Sequence, residues 1–323
     1  MPVATIRLPA HVMAAVLGLP LGAALAASTQ PAQRVIPLLH DTAFRRGFKV
    51  YDPAPGRHVP RGKLVPFPSI GPPVWGLAQW HCRFTLAGAP PRKLPSGAIR
   101  FADASKSVTF ARRPAAEADV AFALSAATEY AGRLRQKGQP WPHLLAEQAC
   151  AKHPPLPELA RLRFRIECRL LHSKAADTPG QTPSLHAAQF LAHVTVQNRN
   201  RRSAGYGDYL WFGIPMYDSR CRIPRPHAAR DTAGTGKFIF NPGGAAYTER
   251  STHDGKWVRI DRDLLPLIRK GLRTARGRGF LTRSRDLADF RIGSFNIGWE
   301  MPGPRDAAMH IRGLSLEAEL KRD

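Results

Sequence analysis

The chain has 323 residues, a hydrophobic fraction of 43%, and 48 Lys+Arg against 24 Asp+Glu, for a formal net charge of +24. That hydrophobic share excludes a disordered chain, and the length suffices for one large or two small domains with a sizeable core. The charge favours anionic partners (acidic polysaccharide, lipid head groups or nucleic acid) and speaks to association rather than to fold.

The first residues, MPVATIRLPAHVMAAVLGLPLGAALAAST, carry a positive start at Arg7, an apolar run from Val12 to Leu25 and the small-x-small pattern Ala24-Leu25-Ala26. This order predicts a secretory signal peptide over residues 1–26 and a mature chain that is periplasmic or extracellular. The run is short against the roughly 20 apolar residues of a membrane span, and Gly18, Pro20 and Gly22 interrupt it. No later stretch reads as transmembrane, and export counts against nucleic acid as the normal partner. Cys82, Cys150, Cys168 and Cys221 remain after cleavage. In an oxidising compartment they predict two disulfides, with three pairings open, against the alternative of free buried thiols.

Tyr51 to Pro73 (YDPAPGRHVPRGKLVPFPSIGPP) has no helical or strand period and reads as an ordered surface arm. Strand signals follow at Leu77–Leu86, Val108–Phe110 and Asp119–Thr128. The clearest is Arg161–Leu171. Leu162, Phe164, Ile166, Cys168 and Leu170 point one way, and Arg161, Arg163, Arg165, Glu167 and Arg169 the other. Period-2 alternation is the mark of a sheet with one dry and one wet face. Ala188–Asn198 and Asp208–Tyr217 repeat the pattern, with Pro215 expected at an end or an edge. Lys237–Asn241 and Lys256–Ile260 are shorter strands. Asp261 or Asp263 is placed to cap a helix that carries Leu264, Leu265, Leu267, Ile268 and Leu272. A short helical piece around Asp286–Phe290 precedes two closing strands, Ile292–Glu300 and Ala307–Leu316.

Many short strands, 27 glycines, 30 prolines and few helical segments predict a mainly β fold. The expected architecture is an antiparallel β-sandwich of jelly-roll type, with one or two short helices in the C-terminal third. Residues 27–323 are expected to form a single sandwich domain; two smaller β domains divided near Pro154–Pro157 are the alternative.

Three groups of residues can carry chemistry. The wet face of Arg161–Arg169 offers guanidiniums that bind carboxylates by paired hydrogen bonds, or that pair across strands with acidic neighbours. Trp141, in the loop-like PWPH, and Tyr209, Trp211 and Tyr217 can stack on sugar rings, whereas Trp299 alternates with Phe295 and Ile297 as a core residue. His143, Glu147, Glu167, His193, Asp218, Glu300 and His310 are titratable groups on the expected wet faces. A glycosidase needs two carboxyl groups across the scissile bond. A lyase needs cations to neutralise a uronate carboxylate and a His or Tyr to take the proton. HExxH, GxSxG, Walker, calcium-loop and paired-Cys zinc motifs are absent from the sequence, so no metal or cofactor is expected.

RFRIECRLL, HAAQFLAHV and YLWFGIPMYD together resemble strands of secreted jelly-roll, concanavalin-like polysaccharide lyases. In those an R-x-E-x-R strand, a Gln/His strand and a Tyr-bearing strand line the substrate groove. Arg165, Glu167 and Arg169 match the first pattern. Gln189 and His193 are farther apart than the second requires, and Trp211 and Phe212 replace the lysine of the third. The closing IGWE and MHIRGLSLE resemble the last strands of sugar-binding sandwiches. The resemblance implies a groove in which Arg163, Arg165, Glu167, Arg169, Trp141 and Trp211 bind substrate. His193, Tyr209 and Glu300 are the candidate catalytic groups.

The leading expectation is therefore a secreted sandwich that binds acidic polysaccharide. An enzyme on the same face is the first alternative, a lyase before a glycoside hydrolase. A noncatalytic envelope protein held to anionic cell-wall material is the second.

Overall fold

A computed structural model describes residues 34–112, 118–232 and 234–322, so the export signal read at residues 1–26 lies outside the described residues. In chain order the elements are β1 (Val35–Pro37), β2 (Phe48–Tyr51), β3 (Pro60–Leu64), β4 (Trp75–Ala78), β5 (Arg92–Lys93), β6 (Ile99–Ala102), β7 (Lys106–Phe110) and β8 (Val120–Ser125). Then come α1 (Ala126–Tyr130), β9 (His143–Ala149), β10 (Leu159–Ala175), β11 (Gln189–Asn198), β12 (Tyr209–Asp218), β13 (His227–Arg230) and β14 (Phe238–Asn241). The chain closes with β15 (Val258–Asp263), α2 (Leu265–Gly277), β16 (Phe290–Glu300) and β17 (Arg305–Leu320).

The strands form two sheets. The first runs β15-β10-β17-β8-β7-β6-β5, with β1 also on β17; the second runs β13-β14-β12-β11-β16-β9-β4-β2-β3. From β4 onward the chain crosses repeatedly between them, which is the jelly-roll way of stacking antiparallel sheets. The pairs β2–β4 and β12–β14 are parallel.

Alternation creates the core. On β10 the apolar set Leu162, Phe164, Ile166 and Cys168 is buried, and on β11 so are Phe190, Ala192, Val194 and Val196. Because successive side chains leave a strand on opposite faces, each strand gives one row to the core and one to the outside. The rows from the two sheets meet as an aromatic seam: Phe164 lies 6.2 Å from Phe295, Phe122 6.5 Å from Phe190, and Phe48 5.6 Å from Phe110, between ring centroids. Trp299 of β16 is fully buried, and its indole N–H donates across the sandwich to the carbonyl of Phe122 at 2.9 Å.

α2 touches β10 as well as β12 and β14, so it reaches both sheets. Leu265, Ile268, Leu272 and Ala275 are its buried stripe. The Asp263 carboxylate accepts from Leu265 N and from Leu162 N, each at 3.0 Å, and so ties the helix start to β10. Gly271 allows close packing, since a Cβ there would sit 2.8 Å from the Phe240 ring.

Several local expectations are corrected. Leu77–Leu86 is a strand only to Ala78. The buried amide of Gln79 then donates to Tyr51 O and accepts from Leu86 N, which turns the chain. Part of the Tyr51–Pro73 arm is sheet, because β3 pairs with β2 at the edge of the second sheet. Pro215, expected at an end or an edge, lies within β12 at a local edge, past the reach of β14 and opposite Leu191 across a bulge. There Tyr247 Oη and Thr252 Oγ1 donate to the carbonyls of Gly213 and Met216 in place of a neighbouring strand.

The expected disulfides are absent: all four cysteines are free thiols. Cys82, Cys150 and Cys168 are buried, and burial pushes the Cys150 and Cys168 thiols up to about 12. Thiols so desolvated are poor nucleophiles for exchange.

Replacing Trp299 by Ala removes the largest side chain of the seam and its bond to Phe122. We expect a loss of about 3–5 kcal/mol in urea unfolding. Tyr206→Ala, at a side chain 55% exposed, is expected to stay within about 0.5 kcal/mol of the parent.

Candidate functional site

The open face of the second sheet brings polar residues together from β9, β16, β11 and β12. Across these strands Glu147 lies opposite Asn296, Asn296 opposite His193, and His193 opposite Gly213. A second row places His143 opposite Glu300 and Glu300 opposite Gln189. Their sequence neighbours Leu144, Ala146, Ile297, Trp299, Ala192 and Val194 are all in the core, so the alternation that builds the sandwich also presents these side chains outward.

Glu300 is the electrostatic centre. Its side chain is only 20% exposed. Desolvation raises its pKa, His193 and the indole of Trp141 offset part of that rise, and the charge of Asp231 adds to it. Desolvation pulls His193 down, against the charges of Glu300 and Asp231. His143, with Nε2 3.8 Å from Glu300, is pushed down to about 4 by burial. Both imidazoles are thus neutral at pH 7 beside a carboxyl whose charged form is disfavoured.

Asp231 reaches this centre from the loop between β13 and β14. Its carboxylate accepts from Gly234 N at 3.1 Å and from Thr235 N and Oγ1, each at 2.7 Å. The same Thr235 hydroxyl accepts from the Trp211 indole at 3.1 Å, which fastens the loop to the sheet. Asp231 therefore stands over the face, near enough for its charge to bear on Glu300, His193 and His143.

Three buried polar atoms here lack a well-aligned hydrogen bond within the protein: Trp141 Nε1, which turns toward Glu300, Asn296 Oδ1, which turns toward His193, and His143 Nδ1. Buried polar atoms are nearly always hydrogen-bonded, so weakly held donors and acceptors around one carboxyl leave room for further polar partners there. Aromatic rings stand on either side. Trp141 stacks on His143 at 5.7 Å, with the Arg135 guanidinium 5.2 Å from the indole. Trp211 meets His193 at 5.7 Å and Tyr209 at 5.3 Å. Farther along, Tyr51 is stacked with Trp80 at 6.3 Å and lies across Gly76, where a Cβ would be 2.3 Å from its ring. Beside them Glu147 is ion-paired with His58 at 2.7 Å.

Of the residues singled out from sequence, His193, Tyr209, Glu300, Trp141 and Trp211 share this face. Arg163, Arg165, Glu167 and Arg169 do not: they lie on the outside of the first sheet, across the sandwich. Arg163 grips Asp261 through two bonds of 2.7 and 2.9 Å, Arg165 pairs with Glu317 at 2.8 Å, and Arg312 with Glu167 at 2.7 Å. The hydrogen bonds from Arg163 help hold Asp261 down to about 2. The expected joining of basic strand and aromatic groove is thus corrected. Arg163 and Arg165 form cross-strand ion pairs with β15 and β17, and Arg169 lies over Trp257.

Sequence reasoning missed Asp231, Asn296, Tyr51, Trp80 and His58. Asp231 had one legible signal, since RDTAGTG has the composition of an Asx-type turn. Among the described residues no group of three His, Cys, Asp or Glu is arranged to hold a metal ion.

No protein-family model matches the chain, and no curated protein matches it. Among solved structures it is similar to endoglucanase Cel12A from Rhodothermus marinus, at 11% identity and a TM-score of 0.36, over 72% of this chain and 97% of that one. It is similar to a family 12 xyloglucanase from Bacillus licheniformis at 6% identity and a TM-score of 0.40, over 71% and 96% of the two chains. The family 11 xylanase from Neocallimastix patriciarum gives 8% identity and a TM-score of 0.36, over 68% and 90%.

The depressed His143 gives a test with a definite sign. An unfolded histidine takes up its proton near pH 6.5, whereas folded His143 does so only at about 4. As pH falls between these values the unfolded state binds the extra proton, so stability is lost across that window and levels off below it. Urea unfolding at pH 7 and pH 4 is expected to show the parent losing more stability than His143→Asn, by roughly 2–3 kcal/mol.

Proposed function

We propose that the chain is a glycan-active sandwich that hydrolyses a neutral polysaccharide on the open face of the second sheet. One observation carries this reading: the shielded Glu300 carboxyl, with weakly held donors and acceptors around it, lies between aromatic rings and shares its field with a second carboxylate. Enzymes that cleave glycosidic bonds need two carboxyl groups in different environments, one kept protonated and one kept charged. Glu300 is the proton donor to the leaving oxygen. Asp231, fixed by its loop, faces the positive charge that develops at the anomeric carbon. His193 and His143, both neutral, orient hydroxyls and Glu300, while Trp141, Trp211 and Tyr209 stack on the sugar rings.

Hydrolysis is favoured over elimination by the charges present. The cations beside the aromatic rings of this face are already engaged: Arg135 donates to the carbonyls of Pro302, Gln139 and Leu185, and Lys237 pairs with Asp208 at 3.3 Å. A lyase must neutralise a uronate carboxylate, and the arginines suited to that task lie on the other sheet. Glu147 is a poorer partner for Glu300. It stands four positions out of register on the neighbouring strand, which is about 13 Å of strand rise.

Anionic envelope material fits a separate surface. Along α2 and its flanks Arg262, Lys270, Arg273 and Arg278 are exposed, and α2 contains no acidic residue. With the net charge of +24, this favours salt-sensitive retention on anionic wall polymer after export. Among the described residues no helix is long and apolar enough to cross a membrane.

Incubation with a soluble neutral glucan, a xylan and a polyuronate separates the chemistries. New reducing ends are expected from a neutral polymer, falling at least about a hundredfold in Glu300→Gln and in Asp231→Asn. Unsaturated, ultraviolet-absorbing product from the polyuronate would overturn the hydrolase in favour of a lyase. Elution of the protein from anionic cell-wall material by salt, at lower concentration for a Lys270/Arg273 double alanine variant, is expected for the basic surface. Equal elution removes it.

A further inference from the structure

Away from the candidate site, on the outside of the first sheet, lies a hollow of about 530 Å³ lined by Glu167, Thr248, Glu249, Arg250, Trp257 and Arg259. Its volume is in the range of small-ligand sites. We propose that this hollow is a second, noncatalytic binding site that takes a neutral sugar unit of a glycan chain on Trp257. The proposal rests on the glycan reading above and extends it to the opposite face of the sandwich.

The indole of Trp257 is held rather than loose. The Arg312 guanidinium lies 4.1 Å from the ring centroid and that of Arg169 5.1 Å away, and the His310 ring is stacked at 6.3 Å and 21°. Arg312 is fixed in turn by Glu167, which accepts from its Nε and pairs with its Nη2, each at 2.7 Å. A flat apolar ring braced by fixed cations, next to β15 at the edge of the sheet, is a preorganised stacking platform. Beside it Arg169 Nε is a buried donor without a partner.

The charges in the hollow select the ligand. Glu167 is paired with Arg312, and Arg259 shares Asp261 with Arg163 and Arg165. That leaves the exposed Glu249 and Arg250, one negative and one positive, without an ion pair among the described residues. The lining carries two carboxylates, Glu167 and Glu249, and two guanidiniums, Arg250 and Arg259, so it offers acceptors and donors to a hydroxyl-bearing neutral ring and sets carboxylates against a polyanion. Since the two faces are separated by the core, one sugar unit cannot occupy both. The second site would hold polymer near the first without taking part in cleavage, raising its effective concentration.

Native electrophoresis in gels containing soluble neutral glucan or xylan tests this directly, alongside hydrolysis of a short oligosaccharide too small to span both faces. The parent is expected to be retarded by the neutral polymer. Trp257→Ala is expected to weaken retardation at least fivefold, Trp257→Phe to restore part of it, and both to leave the oligosaccharide rate unchanged. Should Trp257→Ala fold poorly, Glu249→Lys at the exposed rim is expected to weaken retardation likewise. Undiminished retardation in the folded Trp257→Ala, retardation by polyuronate alone, or no retardation of the parent overturns the second site. Trp257-dependent retardation without any hydrolysis would instead overturn the enzyme reading and leave this site standing.

Discussion

The structure depends on one constraint: each sheet has a single face that can be taken out of water, and the only partner large enough to cover it is the other sheet. The seam of Phe48, Phe110, Phe122, Phe164, Phe190, Phe295 and Trp299 satisfies that constraint. Every outward row follows from it, because a residue adjacent to a buried one on a strand must face the other way. The positions of Glu300, Asn296, Glu147 and His193 are thus consequences of Trp299, Ile297, Ala146 and Val194 being in the core.

The two outer faces answer their polar load differently. On the first sheet acidic and basic side chains meet across β15, β10 and β17 and largely satisfy one another, as Arg163 with Asp261 and Arg165 with Glu317 do. On the second, neutral histidines, a shielded carboxyl and weakly held indole, imidazole and amide atoms crowd between aromatic rings. Polar groups removed from water without well-aligned partners are costly. A face that keeps several of them together leaves room for further polar partners.

The sandwich, β10, β11, β12, helix α2 and the two closing strands were legible because each depends on periodicity. The Arg161–Leu171 alternation predicted both the buried set and the outward arginines that β10 displays. It could not say which of two sheets a strand joins, and so Arg165 and His193 were placed in one groove when they lie on opposite faces. Pairing order is set by long-range contacts that leave no local mark. Asp231 was hidden for a related reason: its role comes from a turn folding back over Trp211, a contact across 24 residues between Trp211 and Thr235. The disulfides were an inference from compartment and count, and the thiols stand apart in the fold.

The central claim is that burial, with the charge of Asp231 adding to it, holds the Glu300 carboxyl above its ordinary range. A carbon-detected NMR titration of the Glu300 carboxyl, in the parent and in Asp231→Asn, measures this directly. The account predicts a midpoint above 4.5 in the parent and a lower one in the variant. A parent midpoint at or below 4.5, or one that Asp231→Asn leaves in place, would contradict it.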